Sequence, residues 1–184
     1  MRCTQELMEE HESIKLMLSI MQGVAQRVAR LQPVPERDFG DIARFLTVFV
    51  DRCHHVSEEK YVFPALERAG VGRESGIINA LLAEHEQGRQ ITALLIKAFE
   101  GYRSPEASAA KWIKKSARDY CTFLRHHIHK ENYVLYPAAE GRIGKEEDAR
   151  LLEAFEAHES EELGPGKHEA LDPMLSRLKQ AYPE

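Results

Sequence analysis

His54-His55-Val56-Ser57-Glu58-Glu59-Lys60-Tyr61-Val62-Phe63-Pro64 decides the fold, because its pattern returns 73 residues later as His127-Ile128-His129-Lys130-Glu131-Asn132-Tyr133-Val134-Leu135-Tyr136-Pro137. In both copies the first histidine and the glutamate stand at i and i+4, one turn apart on one helical face. A second signal, Glu10-His11-Glu12, recurs as Glu84-His85-Glu86 after 74 residues. A duplicated two-helix hairpin accounts for both recurrences. Two such hairpins packed face to face would present the same side chains to a shared centre.

Outward from these motifs, helical periodicity dominates and strand-like alternation is absent. The first helix is predicted over about Thr4 to Leu31, with Thr4 as N-cap and Pro33 and Pro35 ending it. Its core stripe is Leu7, His11, Ile14, Leu18, Met21, Ala25 and Val28. The steps alternate four and three, the seam of a helix lying nearly parallel to its neighbours. A second helix follows from about Glu36 to Ala69, closed by Gly70 and Gly72. A third runs from about Glu74 to Tyr102. Ser104 and Pro105 then read as N-cap and first residue of a fourth that extends to about Glu140. The expected fold is all-α: an antiparallel up-down-up-down four-helix bundle over about residues 4–140. One or two additional C-terminal helices over about 145–182 would lie on its outside, the first from about Lys145 to Leu163 and the next after Gly164-Pro165-Gly166. The whole chain, 1–184, reads as a single domain.

Composition narrows the function classes. Residues of the AVILMFWYC set make up 43% of the chain and charged residues 30%, which supplies a core and excludes a disordered chain. The net charge of −5 has the wrong sign for neutralising phosphates, so nucleic acid is an unfavourable partner. No stretch reaches the roughly 18 apolar residues of a membrane span, and the acidic start lacks the apolar run of a signal peptide. A cytoplasmic protein with no membrane partner is expected. Cys3, Cys53 and Cys121 are widely separated and fit reduced thiols rather than a disulfide framework or a CxxC site.

Depth in the bundle selects the chemistry. From His11 the first helix descends about 20 residues to its turn and the second climbs about 17 back to His54, so at roughly 1.5 Å per residue the two reach nearly one height. Similar counts bring Glu58 and His85, and then His127, to that level. A single histidine on an apolar stripe is ordinarily satisfied by core hydrogen bonds. Four imidazoles and two carboxylates at one depth need a cation between them, because a buried unpaired carboxylate costs several kcal/mol. His11, His54, Glu58, His85, His127 and Glu131 are therefore the candidate metal ligands. Two glutamates that can each bridge suit two metals better than one. Each metal would have two histidines and a share of both carboxylates, leaving positions for an oxo or hydroxo bridge and an exogenous ligand. Imidazole with carboxylate and no thiolate suits iron, with Mn and Zn as competitors.

On these motifs the chain resembles the hemerythrin-like family, also called the HHE cation-binding domain, over about Thr4 to Glu140. The resemblance implies an antiparallel four-helix bundle with a carboxylate-bridged di-iron site, whose members bind O2 reversibly, sense oxygen or iron, or help repair iron centres after nitrosative damage. Oxygen-carrying members have a further histidine one turn after the third-helix ligand. Here that position is Arg89, so the site is more open or His55 supplies the missing ligand. Repair members carry a cysteine-bearing domain ahead of the bundle, whereas this sequence has only Cys3 there, which lowers the expectation of repair.

The expected function is binding of a small diatomic ligand, O2 or NO, for sensing, storage or stress response. The alternatives are a di-iron enzyme with peroxidase-like or repair activity, for which Tyr120 is the candidate proton donor, and a metal-stabilised iron-sensing interaction module. Other features carry smaller expectations. His158 extends the 73-residue spacing beyond His85, but a fifth helix should not reach the centre. His126 and His129 flank the ligand face, and His168 is expected at the surface. Lys111, Lys114, Lys115 and Arg118 beside Trp112 read as a solvated face. Gly88 on the core stripe implies either ligand space or close helix packing, and Pro64 and Pro137 imply local kinks after the site.

Overall fold

The computed structural model describes residues 1–71, 76–102, 107–163 and 168–183, and among them there is no strand. Helix α1 is Arg2–Ala29. Helix α2 spans 36–68 in four stretches: α-helical Glu36–Arg44, π-helical Phe45–His55 and Glu58–Val62, and α-helical Phe63–Arg68. Helix α3 is Ile77–Gly101. Helix α4 spans 107–139, with a π-helical stretch Glu131–Leu135 between Ala107–Lys130 and Tyr136–Ala139. Helices α5 (Lys145–Leu163) and α6 (His168–Ala181) follow. α4 lies against α1 and α3, α2 touches both α1 and α3, α5 leans on α1 and α2, and α6 leans on α1.

Helix ends follow local chemistry, with one correction. Thr4 is not the N-cap: α1 begins at Arg2, and the Thr4 hydroxyl donates to the Met1 carbonyl at 3.1 Å. The cap comes from outside the helix, because the Asp148 carboxylate accepts from the amides of Arg2 and Cys3, each at 3.0 Å. α1 stops at Ala29, two residues before Leu31, whose φ of 55° turns the chain toward Pro33. Gly70 closes α2 at φ 80°. Gly72, Glu74, Ser104, Pro105 and Gly164-Pro165-Gly166 lie outside the described residues, as does the side chain of His168.

Both proline expectations meet a widened helix. Pro64 and Pro137 open the α-helical stretches that follow Glu58–Val62 and Glu131–Leu135. A proline has no N–H for the carbonyl four residues back and its ring crowds that carbonyl, so a wider turn relieves the clash. In the second copy the widening starts at Glu131; in the first a π-helical stretch over Phe45–His55 already precedes the one that starts at Glu58.

Two apolar layers position the site. One, around Leu18, Phe45, Phe49, Leu95, Ile113, Tyr120 and Leu124, fills the end toward the α1–α2 turn. The other, around Cys3, Leu7, Val62, Phe63, Leu81, Leu135 and Phe155, fills the opposite end. The six predicted ligands fall between them, sealed from water on both sides. α6 is more than an external addition: its Leu175 and Leu178, with Tyr182 just after it, join the first layer. Tyr182 takes the place a side chain at Gly23 would need, since a Cβ there would sit 2.6 Å from its carbonyl oxygen.

Candidate metal centre

α1 delivers His11, α2 delivers His54 and Glu58, α3 delivers His85, and α4 delivers His127 and Glu131; each is at most 2% exposed. Nε2 of His11 lies 3.0 Å from Nε2 of His54, and Nε2 of His85 lies 3.0 Å from Nε2 of His127. The carboxylates join these pairs. Glu131 reaches Nε2 of His11 at 3.2 Å, of His127 at 3.0 Å and of His85 at 3.7 Å. Glu58 reaches Nε2 of His85 at 3.3 Å and of His54 at 3.8 Å. The result is two groups of four, His11, His54, Glu58, Glu131 and Glu58, His85, His127, Glu131, each with one ligand atom per residue within 4.8 Å of the others. Both glutamates belong to both groups.

The far nitrogen of every imidazole is also held. Nδ1 of His54 bonds to Glu10 at 2.6 Å, of His85 to Glu59 at 2.7 Å, of His127 to Glu84 at 3.0 Å, and of His11 to the Asn132 side-chain oxygen at 2.7 Å. A carboxylate oxygen only accepts, so the Nδ1 atoms carry the protons and the Nε2 lone pairs face the centre when the rings are neutral. Two lone pairs 3.0 Å apart repel unless a cation, proton or metal, lies between them. The carboxylates make the same demand: Glu58 Oε2 and both oxygens of Glu131 are buried without a hydrogen-bond partner. The donor set, imidazole with shared carboxylate in a dry layer, fits two divalent cations of the first transition row.

Local charges shift these groups strongly. Burial lowers the basicity of His85, but the nearby carboxylates of Glu131, Glu58 and Glu59 outweigh that and hold it up at about 11. His54 goes the other way, to about 4, because burial dominates over the Glu58 charge. Burial pushes Glu131 up, yet the imidazoles of His127, His11 and His85 hold it well below the usual carboxylate range. Tyr136 donates its hydroxyl to Glu58 Oε1, and burial with the Glu58 and Glu131 charges raises it well above 10.

Comparison with known proteins identifies the family. Residues 4–139 match the Hemerythrin HHE cation binding domain. The chain belongs to this family. HHE relatives include uncharacterised proteins of Mycobacterium tuberculosis and Mycobacterium bovis, each 26% identical over 160 residues, covering 87% of this chain and 62% of theirs. An iron-sulfur cluster repair protein of Neisseria gonorrhoeae is 29% identical over 61% of this chain and 73% of its own. Another, from Yersinia pseudotuberculosis, is 30% identical over 66% of this chain and 56% of its own. This HHE chain thus spans less than two thirds of the mycobacterial relatives' length. No solved structure gives a significant match. The chain is an all-helical protein of a metal-binding family, and no helix among the described residues is long and apolar enough to cross a membrane.

Several sequence expectations resolve differently. Tyr120 is buried but does not touch the carboxylates; its hydroxyl interacts with Thr92, and the phenol on the site is Tyr136. Tyr136 stands where the first copy has Phe63, a signal visible in the repeat. The outer partners Glu10 and Glu84 were visible as the residues before His11 and His85. Their targets were not, since each serves the histidine of the adjacent helix. His158 is occupied elsewhere, with Nε2 2.7 Å from the Arg52 carbonyl. His126 and His129 are exposed, as are Lys111, Trp112, Lys114, Lys115 and Arg118. Gly88 lines a cleft of about 180 Å³ together with Asp51, His55, Arg89 and Tyr120. A Cβ there would meet only Phe123, at 3.6 Å, so close packing does not demand the glycine.

Proposed function

We propose that this chain holds a non-haem di-iron centre bridged by Glu58 and Glu131, with His11 and His54 on one ion and His85 and His127 on the other. It binds a small diatomic ligand there, O2 or NO, for sensing, storage or stress response. The observation that carries this reading is the pair of four-residue ligand groups sharing both glutamates. Every Nδ1 is anchored, so the four Nε2 atoms are pre-oriented and loading the metals requires little rearrangement. Iron, when bound, supplies redox-active coordination positions that a diatomic ligand can occupy. The cleft lined by His55 and Gly88, about 180 Å³, is large enough to admit such a ligand to the layer. Apolar layers above and below keep bulk water out, and the Tyr136 hydroxyl donates a hydrogen bond to Glu58 Oε1.

This reading places the four long helices antiparallel in an up-down-up-down bundle, with residues 1–184 as one domain. The free cysteines Cys3, Cys53 and Cys121 are all buried, which agrees with a reducing, cytoplasmic setting. A second reading, repair of iron-sulfur centres, is favoured by the Neisseria and Yersinia relatives, which are iron-sulfur cluster repair proteins.

The test is elemental analysis of protein produced with iron, followed by optical spectra through reduction and re-exposure to O2 or NO. Two irons per chain with charge-transfer bands that return reversibly are expected. One zinc, or no metal with an intact fold, would overturn the reading. Restoration of a damaged iron-sulfur protein by the iron-loaded chain, without reversible O2 binding, would move the assignment to repair.

A further inference from the structure

His55 is the buried imidazole the scheme above leaves unused. It is 4% exposed, and neither ring nitrogen has a hydrogen-bond partner. A buried imidazole left unpaired is costly, and a purely structural role does not justify it. Its surroundings point to a ligand. The ring packs on His85 with centroids 4.0 Å apart, and one nitrogen each of His55, His85 and His127 lie within 4.8 Å of one another.

A backing carboxylate is also in place. Nδ1 of His55 stands 3.7 Å from Asp51 Oδ1, just beyond hydrogen-bond reach. Asp51 is fixed by Arg89, whose Nε donates to it at 2.8 Å while another guanidinium nitrogen donates to Glu59 at 2.5 Å. Glu59 in turn holds Nδ1 of His85. Arg89 thus orients the carboxylates behind two neighbouring imidazoles. The second copy offers no counterpart, since the residue 73 positions after His55 is Ile128.

We infer that His55 is a fifth imidazole ligand, joining His85 and His127 on one ion with Asp51 as its Nδ1 partner, so that the two metal positions are unequal. The inference rests on the two-metal reading above and adds a ligand that α2 contributes across the layer.

The test titrates the metal-free full chain with Co(II) against a chelating indicator, which counts bound ions and their dissociation constants. Wild type is compared with His55→Leu and Asp51→Asn, with circular dichroism and thermal unfolding of the metal-free forms alongside. His55→Leu is expected to weaken one ion at least tenfold and to change its Co(II) absorption. The other ion stays unchanged, and the metal-free fold is equally or more stable. Asp51→Asn is expected to weaken the same ion by roughly tenfold. Should His55→Leu fail to fold, His55→Gln gives the same readout. Dissociation constants within threefold of wild type in a folded His55 variant would overturn the inference. Wild type binding a single ion would overturn the two-metal reading instead, and a tenfold loss of that ion in His55→Leu would still uphold His55 as a ligand. Wild type binding none would overturn both.

Discussion

The two halves of the chain carry the same candidate ligands in different surroundings. His11, His54 and Glu58 in the first match His85, His127 and Glu131 in the second, and the outer Glu10 matches Glu84. Around them the copies part. Glu59, which holds His85, becomes the neutral Asn132, which holds His11. Phe63 packs on His85 at 5.7 Å between ring centroids, while its counterpart Tyr136 packs on His11 at 6.1 Å and carries a hydroxyl to Glu58. Arg89 reaches Asp51 and Glu59, whereas Lys15, at the same place in α1, pairs with Glu12 at the surface. The groups that converge on the centre match between the halves, and the groups behind them differ. A symmetric ligand set can therefore hold two chemically unequal positions.

The largest effect should come from the shared carboxylates. Glu58→Ala and Glu131→Ala each remove a residue common to both ligand groups, so iron content should fall from two per chain to one or none by elemental analysis. Two irons retained in both variants would break the bridging assignment. Next in size is the pH dependence of metal uptake. In the metal-free chain His85 stays protonated up to about 11, and an incoming ion must displace that proton. Apparent affinity should tighten by about tenfold per pH unit for each proton displaced, with proton release measurable by a pH indicator. The same raised value stabilises the metal-free fold. That contribution is complete below the unfolded histidine value of about 6.5 and disappears as pH rises toward 11. Metal-free unfolding midpoints in denaturant should fall accordingly.

Smaller changes sharpen the contrast between the copies. Glu59→Gln makes the second hairpin resemble the first at Nδ1 of His85, and should weaken the ion on that side by about tenfold while leaving the His11 side alone. Tyr136→Phe makes the aromatic pair identical and leaves Glu58 Oε1 buried without its donor. The metal-free protein should lose about 1–3 kcal/mol in urea unfolding. Equal stability would mean the hydroxyl contributes nothing to holding Glu58. Gly88→Ala should be the mildest, raising stability by about 0.5–1 kcal/mol from helix propensity, because the added Cβ meets only Phe123 at 3.6 Å. A measured loss would show that the cleft cannot spare that volume.

Much of this was legible along the chain. The six converging residues and the helix over Lys145–Leu163 followed from spacing, because rise and periodicity within one helix are local properties; His158 shared that spacing, and only its place on a helix outside the bundle argued against it. The π-helical stretches that begin at Glu58 and Glu131 were legible only through the prolines that follow them, since the widening there accommodates Pro64 and Pro137, whereas Phe45–His55 carried no such signal. Tyr120 looked the better proton donor for the same local reason. It shares a stripe with His127, and its actual partner Thr92 lies on another helix.

Sequence alone determined which residues could meet at one depth, and that imidazole with carboxylate would be the chemistry there. Tertiary structure decided which group backs which: Glu10 behind His54 rather than His11, Glu59 behind His85, Tyr136 on Glu58, and His55 turned toward the second pair. The physical reason is that height along a helix is set by counting residues, whereas partnership across helices depends on how the side chains of four rods interlock in the layer between two apolar cores.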